Sequence, residues 1–155
     1  MVVAVDEAEV QRLVREIAKL EERAHPRPWD VTDRTYDALL GWAKDKPRGD
    51  GTRREVLDRY VGIVLASNEV FRFLEQNRAS VQSMDAGKER FARVRIRLDA
   101  LVDLLVGSDA PLRDRVRATT AVLSVGATCM FFVQEVDDRD KLRAIVLEMA
   151  TDLIS

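Results

Sequence analysis

A chain of 155 residues falls in the one-domain range and is long enough to bury roughly two-thirds of its unfolded surface in one core. Hydrophobic residues make up 46% and charged residues 34%, with seven glycines and four prolines, which excludes a disordered chain and a collagen-like one. Lys plus Arg at 25 against Asp plus Glu at 27 leaves a net charge of −2, which provides no overall field to hold a polyanion, so direct nucleic-acid contact by this chain is not expected.

Cys129 is the only cysteine and His25 the only histidine, which together rule out a Cys/His zinc site with an ordinary ligand set. A lone thiol allows no intramolecular disulfide and fits a reducing cytoplasm. The Met1–Val5 run has no basic flank and is too short for a signal peptide, which points to the same compartment. The longest uncharged stretch, Ala118 to Gln134, is shorter than the roughly 20 apolar residues of a membrane span and holds Thr119, Thr120, Ser124 and Thr128, so it is read as a buried helix.

Taken in chain order, Val10, Leu13, Val14, Ile17 and Leu20 mark one face of an amphipathic first helix over Asp6 to Ala24, closed by His25-Pro26-Arg27-Pro28. A second helix is expected from Asp30 or Thr32, with Tyr36, Leu39, Leu40 and Ala43 on one side. Trp29 and Trp42 flank it as half-buried anchors. It should end before the loop Lys46-Pro47-Arg48-Gly49-Asp50-Gly51. Thr52 and Glu55 have capping-box spacing and predict the start of a third helix, with Val56, Leu57, Tyr60, Val61, Val64 and Leu65 buried. Ser67-Asn68 offers a break before a short helix carrying Val70, Phe71, Phe73 and Leu74.

After a loop around Ser83 to Asp85, Phe91, Val94, Leu98, Leu101, Val102 and Leu105 form the stripe of a fifth helix ended by Gly107. Arg90, Arg93 and Arg97 lie on another of its faces, read as a solvated strip laced with salt bridges. Ser108 or Asp109 should cap a long sixth helix with Pro111 in its first turn. Leu112, Val116, Thr119, Leu123, Gly126, Met130 and Val133 share one face of that helix, and Ala121, Val125, Thr128 and Phe132 the opposite one. The last helix, after Val136-Asp137-Asp138, carries Leu142, Ile145, Val146, Met149 and Leu153 on one stripe and Ala144, Leu147, Thr151 and Ile154 on another. No period-two run marks a strand, so the fold class is all-α with about seven helices.

Helices that are uncharged on two faces need cover on both. The simplest closed solution is an isologous homodimer in which the last two helices of each copy form a four-helix bundle. Ala121, Val125, Thr128, Phe132, Ala144, Leu147, Thr151 and Ile154 are the expected dimer interface. The alternative is that these helices form the centre of a monomeric core.

The runs Arg54-Glu55-Val56-Leu57-Asp58-Arg59-Tyr60, Asn68-Glu69-Val70-Phe71-Arg72-Phe73-Leu74, Asp114-Arg115-Val116-Arg117-Ala118 and Asp140-Lys141-Leu142-Arg143, in this order, carry a resemblance. Over residues 52–155 the chain resembles the C-terminal regulatory domain of TetR-type transcriptional regulators, with residues 1–24 as a possible connector helix. The resemblance departs from the family in having no helix-turn-helix pattern, which implies either a shortened regulator or a descendant that lost its DNA reader. It implies a TetR C-terminal-like bundle dimerising through its last two helices, with a small, mostly apolar effector among the middle helices. On that carry-over Tyr60, Phe71, Phe91, Leu98, Leu123 and Met130 would line the cavity, and Arg95 could hold an anionic head group.

No phosphate loop, nucleophile elbow or H-E-x-x-H helix occurs, so no catalytic role, metal or cofactor is expected. Asp137-Asp138-Arg139-Asp140 reads as capping and helix-dipole complement instead of a metal cluster. The expected function is therefore that of a cytoplasmic ligand-sensing and dimerisation domain of a TetR-type regulator, binding DNA only through a separate domain. The alternative is a structural helical dimer or adaptor without a small-molecule pocket; a helical enzyme using core Glu or Asp is a third and weaker reading.

Overall fold

The structure, a computed structural model, describes residues 6–24, 28–83 and 85–155, apart from the side chains of residues 18, 20–24, 28, 29, 31, 71, 74, 81, 82, 86 and 87. Among the described residues there are eight helices and no strand: α1 (Glu7–Ala24), α2 (Pro28–Lys44), α3 (Asp50–Ala66), α4 (Asn68–Gln76), α5 (Arg78–Ser83), α6 (Asp85–Val106), α7 (Leu112–Phe132) and α8 (Arg139–Ile154). The all-α expectation holds, with one helix more than the seven expected because the segment after Ser67 divides at Asn77 into α4 and α5. Among the described residues no helix is long and apolar enough to cross a membrane.

Helix boundaries follow local chemistry, with three departures from the sequence expectation. α2 starts at Pro28, a first-turn position where the missing N–H is no loss. α3 starts at Asp50 after an extended Gly49, so Thr52 already lies inside the helix and the expected capping box is not made. α7 is preceded directly by Pro111, whose carbonyl accepts from the N–H groups of Asp114 and Arg115, and no side chain caps it; Ser108 and Asp109 fall outside. Two other ends are as expected. Gly107 closes α6 at φ 92°, a left-handed geometry that a Cβ disfavours, and its N–H donates to the Asp103 carbonyl at 2.8 Å. Asp138 caps α8, its carboxylate accepting from the Lys141 N–H at 3.1 Å.

α3 is the central helix, in contact with α2, α6, α7 and α8. Its six expected core residues are all buried, and Ile63 joins them. Around them lie Leu39 and Ala43 of α2, Leu101, Val102 and Leu105 of α6, Ala118, Ala121, Val122, Val125 and Cys129 of α7, and Leu142, Val146, Leu147 and Ala150 of α8. The Tyr60 hydroxyl donates to the Val122 carbonyl at 3.2 Å, which ties α3 to α7 through the core. α7 and α8 run side by side, and the Arg117 guanidinium donates at 2.9 Å to the carbonyls of both Leu153 and Ser155, locking the start of α7 to the end of α8.

Candidate functional site

α7 divides into two faces of different size. Its inner face carries Ala118, Ala121, Val122, Val125 and Cys129, all essentially inaccessible to solvent. Its outer face carries Leu112 at 79% exposure, Val116, Leu123 at 54% and Phe131 at 69%. α8 repeats the division: Leu142, Val146, Leu147 and Ala150 are buried, whereas Ile145, Met149 and Leu153 stand outward. Small side chains on the inner face let α7 approach its neighbours closely, so the larger ones are left outside. Single exposed hydrophobic residues are ordinary, but α7 and α8, which are in contact, carry eight large ones between them, a density that points to an interaction surface.

Two polar residues of this face are satisfied within their own helix. Thr119 and Thr120 donate their hydroxyls to the carbonyls of Arg115 and Val116 at 2.8 Å, so they present methyl groups outward without a lost hydrogen bond. These two hydroxyls can be covered without being left unpaired.

The expected interface residues fall on both sides of this division. Ala121, Val125 and Leu147 sit in the chain's own core and are not open to a second copy. Thr128, Thr151 and Ile154 are half-buried; Thr151 donates to the Leu147 carbonyl, and Ile154 packs on the core edge. Ala144 and Phe132 are exposed, Phe132 packing edge to face with Phe131 at 5.0 Å. The outward stripe thus passes to Leu112, Val116, Leu123, Phe131, Ile145, Met149 and Leu153. The signal in the sequence was residue size: a stripe rich in alanine and β-branched residues suits tight packing inside a protomer.

The expected cavity residues differ in their surroundings. Tyr60 is core, its ring 5.9 Å from that of Tyr36. Phe91, Leu98 and Met130 are half-buried, Leu98 resting against the core, while Leu123 belongs to the outer face. Arg95 is exposed and pairs with Asp99 at 3.3 Å along its own helix, which supplies its counter-charge locally. The Phe71 side chain lies outside the described residues, as do His25 and the Trp29 side chain.

A polar site appears where a solvated strip was expected. Arg93 is indeed exposed and pairs with Glu89, but Arg90 and Arg97, on the side of α6 facing α2, are largely withdrawn from water. Both reach Asp33 of α2, at 3.3 and 3.1 Å, and Arg97 also pairs with Asp37 at 3.1 Å. Burial lowers the pKa of Arg90, and the charge of Asp33 opposes that shift. Sequence spacing could place the arginines on one face but could not show that α2 brings two aspartates to meet them.

Burial pushes the Tyr36 hydroxyl up to about 12, against opposing contributions from Tyr60, Arg97 and Arg90, and holds Tyr60 well above its ordinary range. Burial likewise raises the Cys129 thiol to about 11, which keeps it protonated and unreactive.

One open cleft of about 560 Å³ lies at the end of the bundle, between the end of α2, the 45–49 loop, the first turn of α3 and the end of α6. Leu40, Ala43, Val56 and Leu104 contribute its apolar wall, and Lys44, Lys46, Arg48 and Arg53 its basic rim. No protein-family model and no curated protein matches the chain.

Proposed function

We propose that this chain is the ligand-sensing and dimerisation domain of a TetR-type transcriptional regulator, a cytoplasmic homodimer that binds a small, mostly apolar effector and reaches DNA only through a separate domain. The observation that carries this reading is the outward apolar stripe shared by the last two helices. Packed against its two-fold mate, the α7–α8 pair makes a four-helix bundle. A standard interface requires about 800 Å² from each partner, which needs contributions along most of both helices. The effector would act by favouring one arrangement of the two copies over another.

The same face would equally serve a structural helical adaptor without a small-molecule site. Tyr60 in the core, Leu123 on the outer face and Arg95 paired with Asp99 give no support to an effector at those three positions, so its site would lie elsewhere on the domain. Effector binding distinguishes the two.

The dimer is tested by the solution mass of the chain from micromolar concentration upward, for wild type and for Leu123→Glu combined with Met149→Glu. The expected result is a mass twice that of the chain in wild type, with dissociation at least about a hundredfold easier in the variant, since two buried anchors are each replaced by a desolvated charge. A wild-type monomer at every concentration would refute the dimer. Leu147→Glu is not a useful probe, because Leu147 is buried within one protomer and its replacement would unfold the chain.

A further inference from the structure

We propose that the cleft between the end of α2, the 45–49 loop and the end of α6 binds a single-tailed organic anion, with its hydrocarbon on Leu40, Ala43, Val56 and Leu104 and its head group at Lys46 and Arg48. This rests on the reading of the domain as an effector sensor and moves the effector from the middle helices to this end of the bundle.

Three observations support the assignment. The volume, about 560 Å³, falls within the roughly 300–1,000 Å³ of small-molecule sites, and its lining combines hydrocarbon with cationic side chains. The rim charge is one-sided: Lys44, Lys46, Arg48 and Arg53 line the cleft, against Asp103 as the acidic residue of the lining. Asp103 is held by Arg115 of α7 at 2.6 Å and is therefore already neutralised. Arg53 pairs with Asp50 on its exposed side, but among the described residues neither Lys44 nor Arg48 makes an ion pair, and Lys46 touches only the Trp42 ring, 5.2 Å from its centroid.

The third observation is the seat of Arg48. Gly107 is buried with φ at 92°, and a Cβ there would fall 3.0 Å from Arg48 Nη1 and 3.3 Å from the Asp109 carboxylate. The missing side chain thus lets the guanidinium lie against the end of α6, beside the apolar wall. A guanidinium at this end of α6 offers paired donors to a carboxylate, and Lys46 adds a second cation from the same loop. A neutral apolar molecule would gain the wall but leave the rim unused.

The probe is decanoate below its aggregation threshold, compared by calorimetry with decanol and acetate. The variants are Lys46→Gln with Arg48→Gln, which removes the head-group charge, and Thr52→Trp, which fills the cleft from its rim. We expect saturable binding of decanoate, weaker by at least about tenfold for decanol and for the charge variant, and lost for acetate and for Thr52→Trp. Helical circular dichroism and solution mass, read on the same samples, establish that each variant is folded and record its oligomeric state. Failure of wild type to bind decanoate, equal binding of decanol, or undiminished binding by either folded variant would overturn the proposal. A dimer that fails to bind decanoate overturns this site while leaving the dimer standing. A monomer that binds with the expected charge and shape dependence supports the site and removes the dimer.

Discussion

The seam between α2 and α6 and the outer face of α7–α8 both lie at the periphery of the same bundle, and they are finished in opposite ways. The seam closes with charge: Asp33 receives Arg90 and Arg97, and Asp37 doubles the contact to Arg97. The α7–α8 face ends in hydrocarbon, with Leu112, Leu123, Phe131 and Met149 more than half exposed. Asp33 and Asp37 bring counter-charge to the two arginines from within the same chain. An apolar stripe has no such internal partner, and water opposes its exposure by about 25 cal/mol per Å². The contrast separates a surface that stabilises the protomer from one suited to association.

The comparison breaks most visibly at Asp33. Replacing it by Ala removes the carboxylate that the two withdrawn guanidinium groups share, which should cost about 3 kcal/mol of unfolding free energy. Urea denaturation at fixed protein concentration measures this, and the loss should not depend on concentration. The outer-face substitutions at Leu123 and Met149 should behave in the reverse manner, shifting a concentration-dependent melting temperature while leaving the stability at high dilution nearly unchanged. An Asp33→Ala variant within about 0.5 kcal/mol of wild type would show that the seam is solvated in solution and that the contrast is unfounded.

A smaller effect sits beneath the seam, where Tyr36 of α2 meets Tyr60 of α3. These are the only two tyrosines in the chain, so tyrosinate absorbance reports on them alone. With the Tyr36 hydroxyl raised from 10.0 to about 12 by burial, the unfolded chain loses its proton first. The stability this contributes is therefore intact below pH about 10 and is lost as pH rises through about 12. Tyr60→Phe should remove a bond to the Val122 carbonyl and cost about 1 kcal/mol at neutral pH. An alkaline titration should show the wild-type tyrosines ionising together with unfolding; ionisation near 10 in a chain that keeps its helical signal would show both phenols open to water.

These contrasts also mark how far the sequence alone could be read. The core of α3 was legible residue by residue because Val56, Leu57, Tyr60, Val61 and Val64 recur at helical spacing, and periodicity encodes an inward face directly. Gly107 and Asp138 were legible because their roles are local: one accepts a left-handed turn, the other a backbone N–H three residues on. α7 was harder, since a helix apolar on both faces carries no periodic signal for which face is inside. Its inner face follows from the fit of Ala118 and Ala121 against neighbours far away in sequence. The Asp33 seam and the Lys46–Arg48 cleft were hidden for the same reason, as each is assembled from segments that only the tertiary fold brings together.

The smallest expected effect tests whether burial, and not the count of ion pairs, explains the strength of the seam. Asp58 of α3 and Arg143 of α8 form a pair of the same chemistry, 2.9 Å from Nε to Oδ1, with a second donation from Arg143 to the Asp58 carbonyl. Gly62 leaves room for that guanidinium, since a Cβ there would come within 3.2 Å of both terminal nitrogens. The geometry is as good as at Asp33, but the side chains are 39% and 41% exposed instead of 15% and 15% for Arg97 and Asp33. Water and salt screen such a pair, so Asp58→Ala should lower stability by about 0.5 kcal/mol, and added salt should reduce the difference further. A loss comparable to that at Asp33 would mean that geometry outweighs burial in both places, and the distinction between sealed seam and open surface would then rest on the apolar face alone.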